Sequence, residues 1–228
     1  MIIAIDTETC LISEEQPIPR LVSVAIHDAS ESTKLYAVHD STIEERIRVC
    51  FEGHDLVFAN APFDVTVLAR QWPNLWPSIL KAYESDRIHD VLTREKFIDN
   101  AEGELGRRGK YNLGAVANRR AFLKVDKEDP WRLRYAELIG LDIADWPKEA
   151  VHYVKNDAFA TYAVFVAQEK HVDENFSVDI FYDQYNQGRG HLALYESGSY
   201  GIATDPERVE AKAQEISTDI AKHQERLL

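Results

Sequence analysis

Cysteine is scarce in this chain: among 228 residues only Cys10 and Cys50 occur, with no CxxC spacing. That gives no basis for a disulfide framework and reads as reduced thiols in a cytoplasmic protein. Ten glycines and eight prolines are too few for low complexity, and no internal repeat is visible. No window approaches the ~18 consecutive apolar residues of a membrane-spanning helix. The opening MIIAIDTETC has no basic region and soon reaches two acids, unlike a secretory signal peptide. Positive charge is short as well: 26 Lys and Arg face 39 Asp and Glu, a formal charge of −13. Such a balance argues against strong nonspecific binding to nucleic acid, because phosphate affinity depends mainly on Lys and Arg. What is present, 45% hydrophobic and 29% charged residues, is ordinary globular composition. The length suits one large domain, or one domain with an appendage.

Residues 1–5 form an apolar, β-branched run ending at Asp6. Residues 20–27 and 34–38 are further strand candidates, and their short connections predict adjacent antiparallel pairing. Residues 41–52 turn helical: Ser41 and Glu44 fit a capping box, Ile43, Ile47 and Phe51 share a face, and Gly53 marks the stop. Residues 55–59 read as a short buried strand, and Pro62 opens a helix where its missing N–H costs nothing. Beyond it the pattern is mostly helical, with segments 87–99, 111–123 and 131–139 and a long helix from Pro147 to about Lys170. Strands first and helices later, with a helical crossover, predict an α/β domain with a mixed sheet flanked by helices. Residues 176–197 form another predicted helix. Thr204 and Glu207 then make a second capping-box pattern, and 207–228 is helical with no closing signal, as if the chain were cut there.

Three acidic motifs carry the chemistry. Asp6-Thr7-Glu8 ends the first strand, where residues two apart share a face, so both carboxylates project together. Asn60-Ala61-Pro62-Phe63-Asp64 follows an apolar strand and puts a carboxylate in the first turn of a helix, beside the positive end of its dipole. Tyr153 and Asp157 sit four apart, which places phenol and carboxylate on one helical face with Thr161. Each motif alone also fits a surface acid pair, a helix-start acid or an ordinary helix pair. Together, Asp6, Glu8, Asp64 and Asp157 make a set of hard oxygen ligands suited to Mg²⁺ or Mn²⁺, and no His/Cys cluster points to zinc. Two such ions can clamp the attacking and leaving oxygens of a phosphodiester displacement.

IDTET, FANAPFD and YVKND, in that order, resemble the DEDD superfamily of 3′–5′ exonucleases. The tyrosine four residues before the last aspartate resembles the DEDDy branch. The resemblance spans about residues 1–170 and implies a ribonuclease-H-like fold that releases nucleotides from a 3′ end with two metal ions. It implies Asp6, Glu8, Asp64 and Asp157 as metal ligands and Tyr153, with Glu8, as the group orienting the attacking water. It also implies Thr7, Thr9, Ile12, Asn60 and Phe63 as contacts to the terminal nucleotides. Cys10-Leu11 departs from the small residue and glycine that relatives often have, which changes the loop that carries Ile12.

The tail HLALYESGSYGIATDPERVEAKAQEISTDIAKHQERLL resembles the junction between exonuclease and polymerase in family A DNA polymerases, where a long helix begins the thumb. This resemblance implies a phage-like proofreading domain over 1–175, followed over 176–228 by helices like the start of a thumb. Its partners would be a single-stranded or frayed DNA 3′ end, the nucleotide monophosphate product and a polymerase domain, in the cytoplasm of a bacterial or phage-infected cell. The same three motifs would serve a free-standing ribonuclease-D-like enzyme acting on RNA. An inert fold used to position DNA is the other alternative, although no carboxylate is missing. Residues 104–124 hold six cations against the single acid Glu104. They suit the phosphates of an entering strand, or simply a solvated loop and helix.

Overall fold

The computed structural model describes residues 1–13, 16–30, 32–125, 129–201 and 205–225. They form two compact units, Met1–Glu196 and Ser197–Leu228. Five strands make the sheet of the first unit: β1 (Ile2–Thr9), β2 (Leu21–Asp28), β3 (Thr33–Ala37), β4 (Asp55–Phe58) and β5 (Ile88–Asp90). Their spatial order is β3-β2-β1-β4-β5. The first three are antiparallel, whereas β4 and β5 run parallel to β1. The sheet is therefore mixed, as the order of strands and helices in the sequence implied.

Helices cover both faces. α1 (Ile43–Gly53), α2 (Ala61–Gln71) and α3 (Trp76–Glu84) pack on one side, where Ile3 and Ile5 of β1 meet Ile47, Phe51, Leu68 and Ile79. α4 (Val91–Ala101), α5 (Leu113–Ala121) and the long α6 (Lys148–Asn175) follow. Ala4 and Val57 of the sheet pack with Val116 of α5 and Ala160 and Val164 of α6, while Val22 and Ala25 pack with Val154 and Ala158. Small residues on both partners let α6 lie close against the strands. The alternation along β1 thus divides its side chains: Ile3, Ile5 and Thr7 point toward α1–α3, and Ala4, Asp6 and Glu8 toward α6.

Several local expectations need correction. α1 is not closed by Ser41 and Glu44: its N-cap, Thr42, makes no side-chain cap. Asp40 instead accepts from the Thr42 N–H and hydroxyl, both at 2.8 Å. The segment 87–99 is not one helix but β5 followed by α4, because Asp90 ends the strand and caps the helix. Residues 131–139 form two 3-10 turns, Pro130–Leu133 and Tyr135–Leu138. α6 continues past Lys170 to Asn175, and α7 starts later than expected, at Gln184, and runs to Tyr200. The first unit reaches beyond residue 175, since Leu192 of α7 belongs to the core of α1–α3.

In the second unit α8 (Pro206–Glu225) starts where Asp205 accepts from the N–H groups of Glu207 and Arg208. Thr204, the other half of the expected capping box, lies outside the described residues. No helix among the described residues is long and apolar enough to cross a membrane.

Candidate metal and nucleic-acid site

Asp6 and Glu8 leave β1 on the side covered by α6, and Asp157 meets them from that helix. One carboxylate oxygen of each lies within 4.8 Å of the others, and no other group of three or more potential ligands is so placed among the described residues. Asp6 and Glu8 are half-buried and Asp157 is buried. A register irregularity between Glu8 and Thr9 disturbs the β1–β2 ladder at this edge, the kind of bulge that re-aims side chains beside a site. Three carboxylates so close repel one another unless a cation lies among them. Their all-oxygen donor set fits Mg²⁺ or Mn²⁺.

Tyr153 stands one helical turn before Asp157 and is buried. Its phenol is pushed well above its usual range, first by burial and then by the charges of Asp157, Glu8 and Asp6, with Arg132 acting the other way. Tyr153 therefore shares the space of the acids and keeps its proton. Tyr135, which the sequence reading left unassigned, backs it. The two rings lie 6.3 Å apart at 45°, and the Tyr135 hydroxyl donates to the Ala150 carbonyl at 2.9 Å. Its 3-10 turn carries no helical periodicity, so nothing in the sequence singled it out.

Asp64 stands apart from this triad. It belongs to α2, on the opposite side of β1, and accepts from the Thr7 hydroxyl at 2.6 Å and the Thr7 N–H at 3.1 Å. Burial pushes its carboxyl up to about 7 despite these hydrogen bonds, with the charge of Asp90 adding to the rise. Thr7, expected to touch substrate, is buried and holds this carboxylate. The structure thus brings Asp6, Glu8, Asp157 and Tyr153 together and links Asp64 to them through Thr7, the residue between Asp6 and Glu8.

The remaining expected contacts lie at the rim. Asn60 is exposed and left-handed, with φ 83°, and its side chain does not cap α2. Asp90 does that work from β5: it accepts from the Ala61 N–H at 2.9 Å while also capping α4 through Leu92 and Thr93 at 2.8 and 3.2 Å. Its own carboxyl is pushed up by burial. Phe63 is half-buried and meets Tyr195 of α7 edge to face. The Thr9 hydroxyl donates to the Cys10 carbonyl at 2.9 Å, and Ile12 is 61% exposed. Asp90 and Tyr195 were missed; the strand–acid–helix pattern of Asp90 repeats that of the second motif and was a usable signal.

Three of the six cations in the basic segment 104–124 are committed to acids of the fold. Arg120 and Arg119 hold the fully buried Glu95 of α4 at 3.0 and 3.3 Å, and Arg108 pairs with Glu102 and Asp99. Tyr111 donates to Asp99 at 2.8 Å, so it is tied into the same network. Much of the local positive charge neutralises α4.

The architecture is shared with solved structures. Brucella melitensis NrnC with bound Mg²⁺ is similar over 89% of this chain and 88% of its own, at 12% identity and a TM-score of 0.57. The Aedes aegypti Nibbler EXO domain is similar over 84% and 85%, at 14% identity and a TM-score of 0.56. Escherichia coli RNase D, an exoribonuclease involved in structured RNA processing, is similar over 85% of this chain and 44% of its own, at 13% identity and a TM-score of 0.55. This is the ribonuclease-H-like exonuclease fold. No protein-family model and no curated protein matches the chain. At such identities the likeness carries the fold, and the chemistry rests on the residues above. Within the exonuclease fold, the triad lies where β1 ends against α6.

Proposed function

We propose that this chain is a metal-dependent 3′–5′ exonuclease acting on single-stranded or frayed DNA ends, the proofreading part of a DNA polymerase. The observation that carries it is the convergence of Asp6, Glu8 and Asp157 with Tyr153 on one side of β1. Asp6, Glu8 and Asp157 would hold Mg²⁺ or Mn²⁺, and Asp64 would have to leave Thr7 to complete a set for two ions. Bound there, such ions would supply an acidified water and counter the negative charge of the phosphodiester. Tyr153 keeps its proton and donates from its hydroxyl to aim the water, with Glu8 beside it. Asn60 and Phe63 contact the terminal nucleotide, joined by Thr9 and Ile12 at the rim.

In this reading residues 1–175 carry the exonuclease motifs, and 176–228 resembles the start of a polymerase thumb, which favours DNA. A setting in the bacterial or phage-infected cytoplasm follows from that reading. A second reading, processing of RNA, is favoured by two neighbours: NrnC bound to pGG, at 12% identity and a TM-score of 0.52, and RNase D.

The test gives the protein Mg²⁺ with labelled single-stranded DNA, duplex DNA with a matched or mismatched 3′ end, and RNA. Unpairing energy becomes part of the barrier on a matched duplex. Faster shortening of single-stranded and mismatched DNA supports proofreading. Equal rates on matched and mismatched ends overturn it, and digestion of RNA alone establishes the second reading.

A further inference from the structure

α8 presents an apolar stripe with nothing packed on it. Every described side chain of this helix is exposed, including Val209, Ile216 and Ile220 at 53, 50 and 53%. Together with Ala213 these residues recur at alternating spacings of four and three: 209, 213, 216 and 220. That repeat of seven is the seam of a two-stranded coiled coil, in which each apolar side chain enters a hole on the facing helix. The remaining positions are mostly charged or polar, among them Glu210, Lys212, Gln214, Glu215, Ser217, Thr218 and Asp219. A continuous exposed apolar stripe with a polar surround marks an interaction surface.

The residues flanking the stripe select the partner. Two copies of α8 running antiparallel can set Val209 opposite Ile220 and Ala213 opposite Ile216, each layer occurring twice by the two-fold symmetry. Ala213 then receives the larger isoleucine, so the seam fills without a gap. The same register brings Lys212 of one copy to Asp219 of the other, again twice, and Glu210 to Ser217, so no like charges meet. A parallel pair does worse on both counts. It sets Ala213 against itself, which leaves a void, and it turns Lys212 and Asp219 toward Ser217 and Gln224 with no ion pair. Within one chain, Lys212 bonds to Glu215 at 2.8 Å and Asp219 pairs with Lys222 at 3.6 Å. The Lys212 and Asp219 side chains stay 63 and 58% exposed in doing so, open to a second partner.

We propose that α8 is a self-association helix: two copies of this chain pair through it as an antiparallel coiled coil, with Lys212 and Asp219 matched across the seam. The contact is isologous, so it closes at two copies and builds no filament. It stands on α8 alone and does not depend on the exonuclease reading.

Sedimentation equilibrium of the full chain at low salt, from about 5 to 500 µM, tests it. The mass should rise with concentration from 26.1 kDa toward twice that value. Four layers make a small interface, so the rise belongs to the upper part of the range. Ile216→Asp puts a charge in the seam and should hold the mass at that of one chain. Lys212→Glu and Asp219→Lys each turn two exposed ion pairs repulsive and should weaken pairing about tenfold or more. An equimolar mixture of these two variants should pair as the parent does, because every contact across the seam is again between unlike charges. Each variant is checked for unchanged helix content by circular dichroism. A parent that stays monomeric throughout overturns the proposal and leaves the stripe to a partner of another kind. A dimer that survives Ile216→Asp overturns α8 as its interface. A mixture that pairs no better than either variant alone overturns the antiparallel match.

Discussion

Tyr153 is buried, neighbours three acids and keeps its proton, so its hydroxyl is suited to donating a hydrogen bond and not to acting as a base at neutral pH. Tyr153→Phe removes that hydrogen bond and little else. Single-turnover cleavage of a short DNA strand should slow by about 10- to 100-fold, at or below the usual range for positioned proton-handling groups. Asp157→Ala should be far slower. A Tyr153→Phe rate equal to the parent's would make the ring packing only.

Asp64 offers a pH test. Its carboxyl is pushed up to about 7 from an ordinary 3.8, so the folded chain favours the protonated form. Its contribution to stability is full below about 4 and is lost as pH rises through about 7. In chelator, the parent should therefore lose stability relative to Asp64→Asn between pH 4.5 and pH 8, measured by urea midpoints. Ligands must ionise to bind a metal, so the Mg²⁺-induced rise in melting temperature should be larger at pH 8 than at pH 6. A parent-to-variant difference that stays flat with pH would contradict this account.

Asp6, Glu8 and Asp157 were legible in the sequence because strand and helix periodicities alone decide which way they face. The Thr7–Asp64 contact was not, since it depends on how closely α2 approaches β1.

At the scale of elements, the start of α2 is held by another strand. Asn60 is left-handed and does not cap its helix, and Asp90 supplies the missing acceptor while also capping α4. Asp90→Ala should cost about 2–4 kcal/mol, combining a lost cap with a buried N–H left unpaired. Asp90→Ser keeps a cap for α4 but is too short to reach Ala61, so it should recover only part of that loss. Urea unfolding of the three proteins decides it, and a loss under about 0.5 kcal/mol in Asp90→Ala, no more than an ordinary surface substitution, would show that the carboxylate holds neither helix. This arrangement was hidden because residues 87–99 read as one helix. β5 is only Ile88–Asp90, too short for its alternation to stand out from helical spacing. The long α6 and the crossover through α1 were legible because their apolar spacing persists over several turns. The 3-10 turns around Tyr135 were not, since their residues are set by packing against Trp146 and Tyr153.

Across the whole molecule, acidity has two uses. Acids of α4 bind the arginines of 104–124 into the fold, while Asp6, Glu8 and Asp157 converge on one point. On the proposed function, a chain of −13 needs divalent cations to bring a polyanion to its own carboxylates, so activity should vanish without them. The most direct test follows a 5′-end-labelled single strand of DNA over time with the parent in Mg²⁺, the parent in chelator, and Asp157→Ala in Mg²⁺. The account requires a ladder that shortens from the 3′ end one nucleotide at a time with the parent in Mg²⁺, and intact strand in the other two. No ladder with the parent, or one that survives chelator or Asp157→Ala, would contradict it.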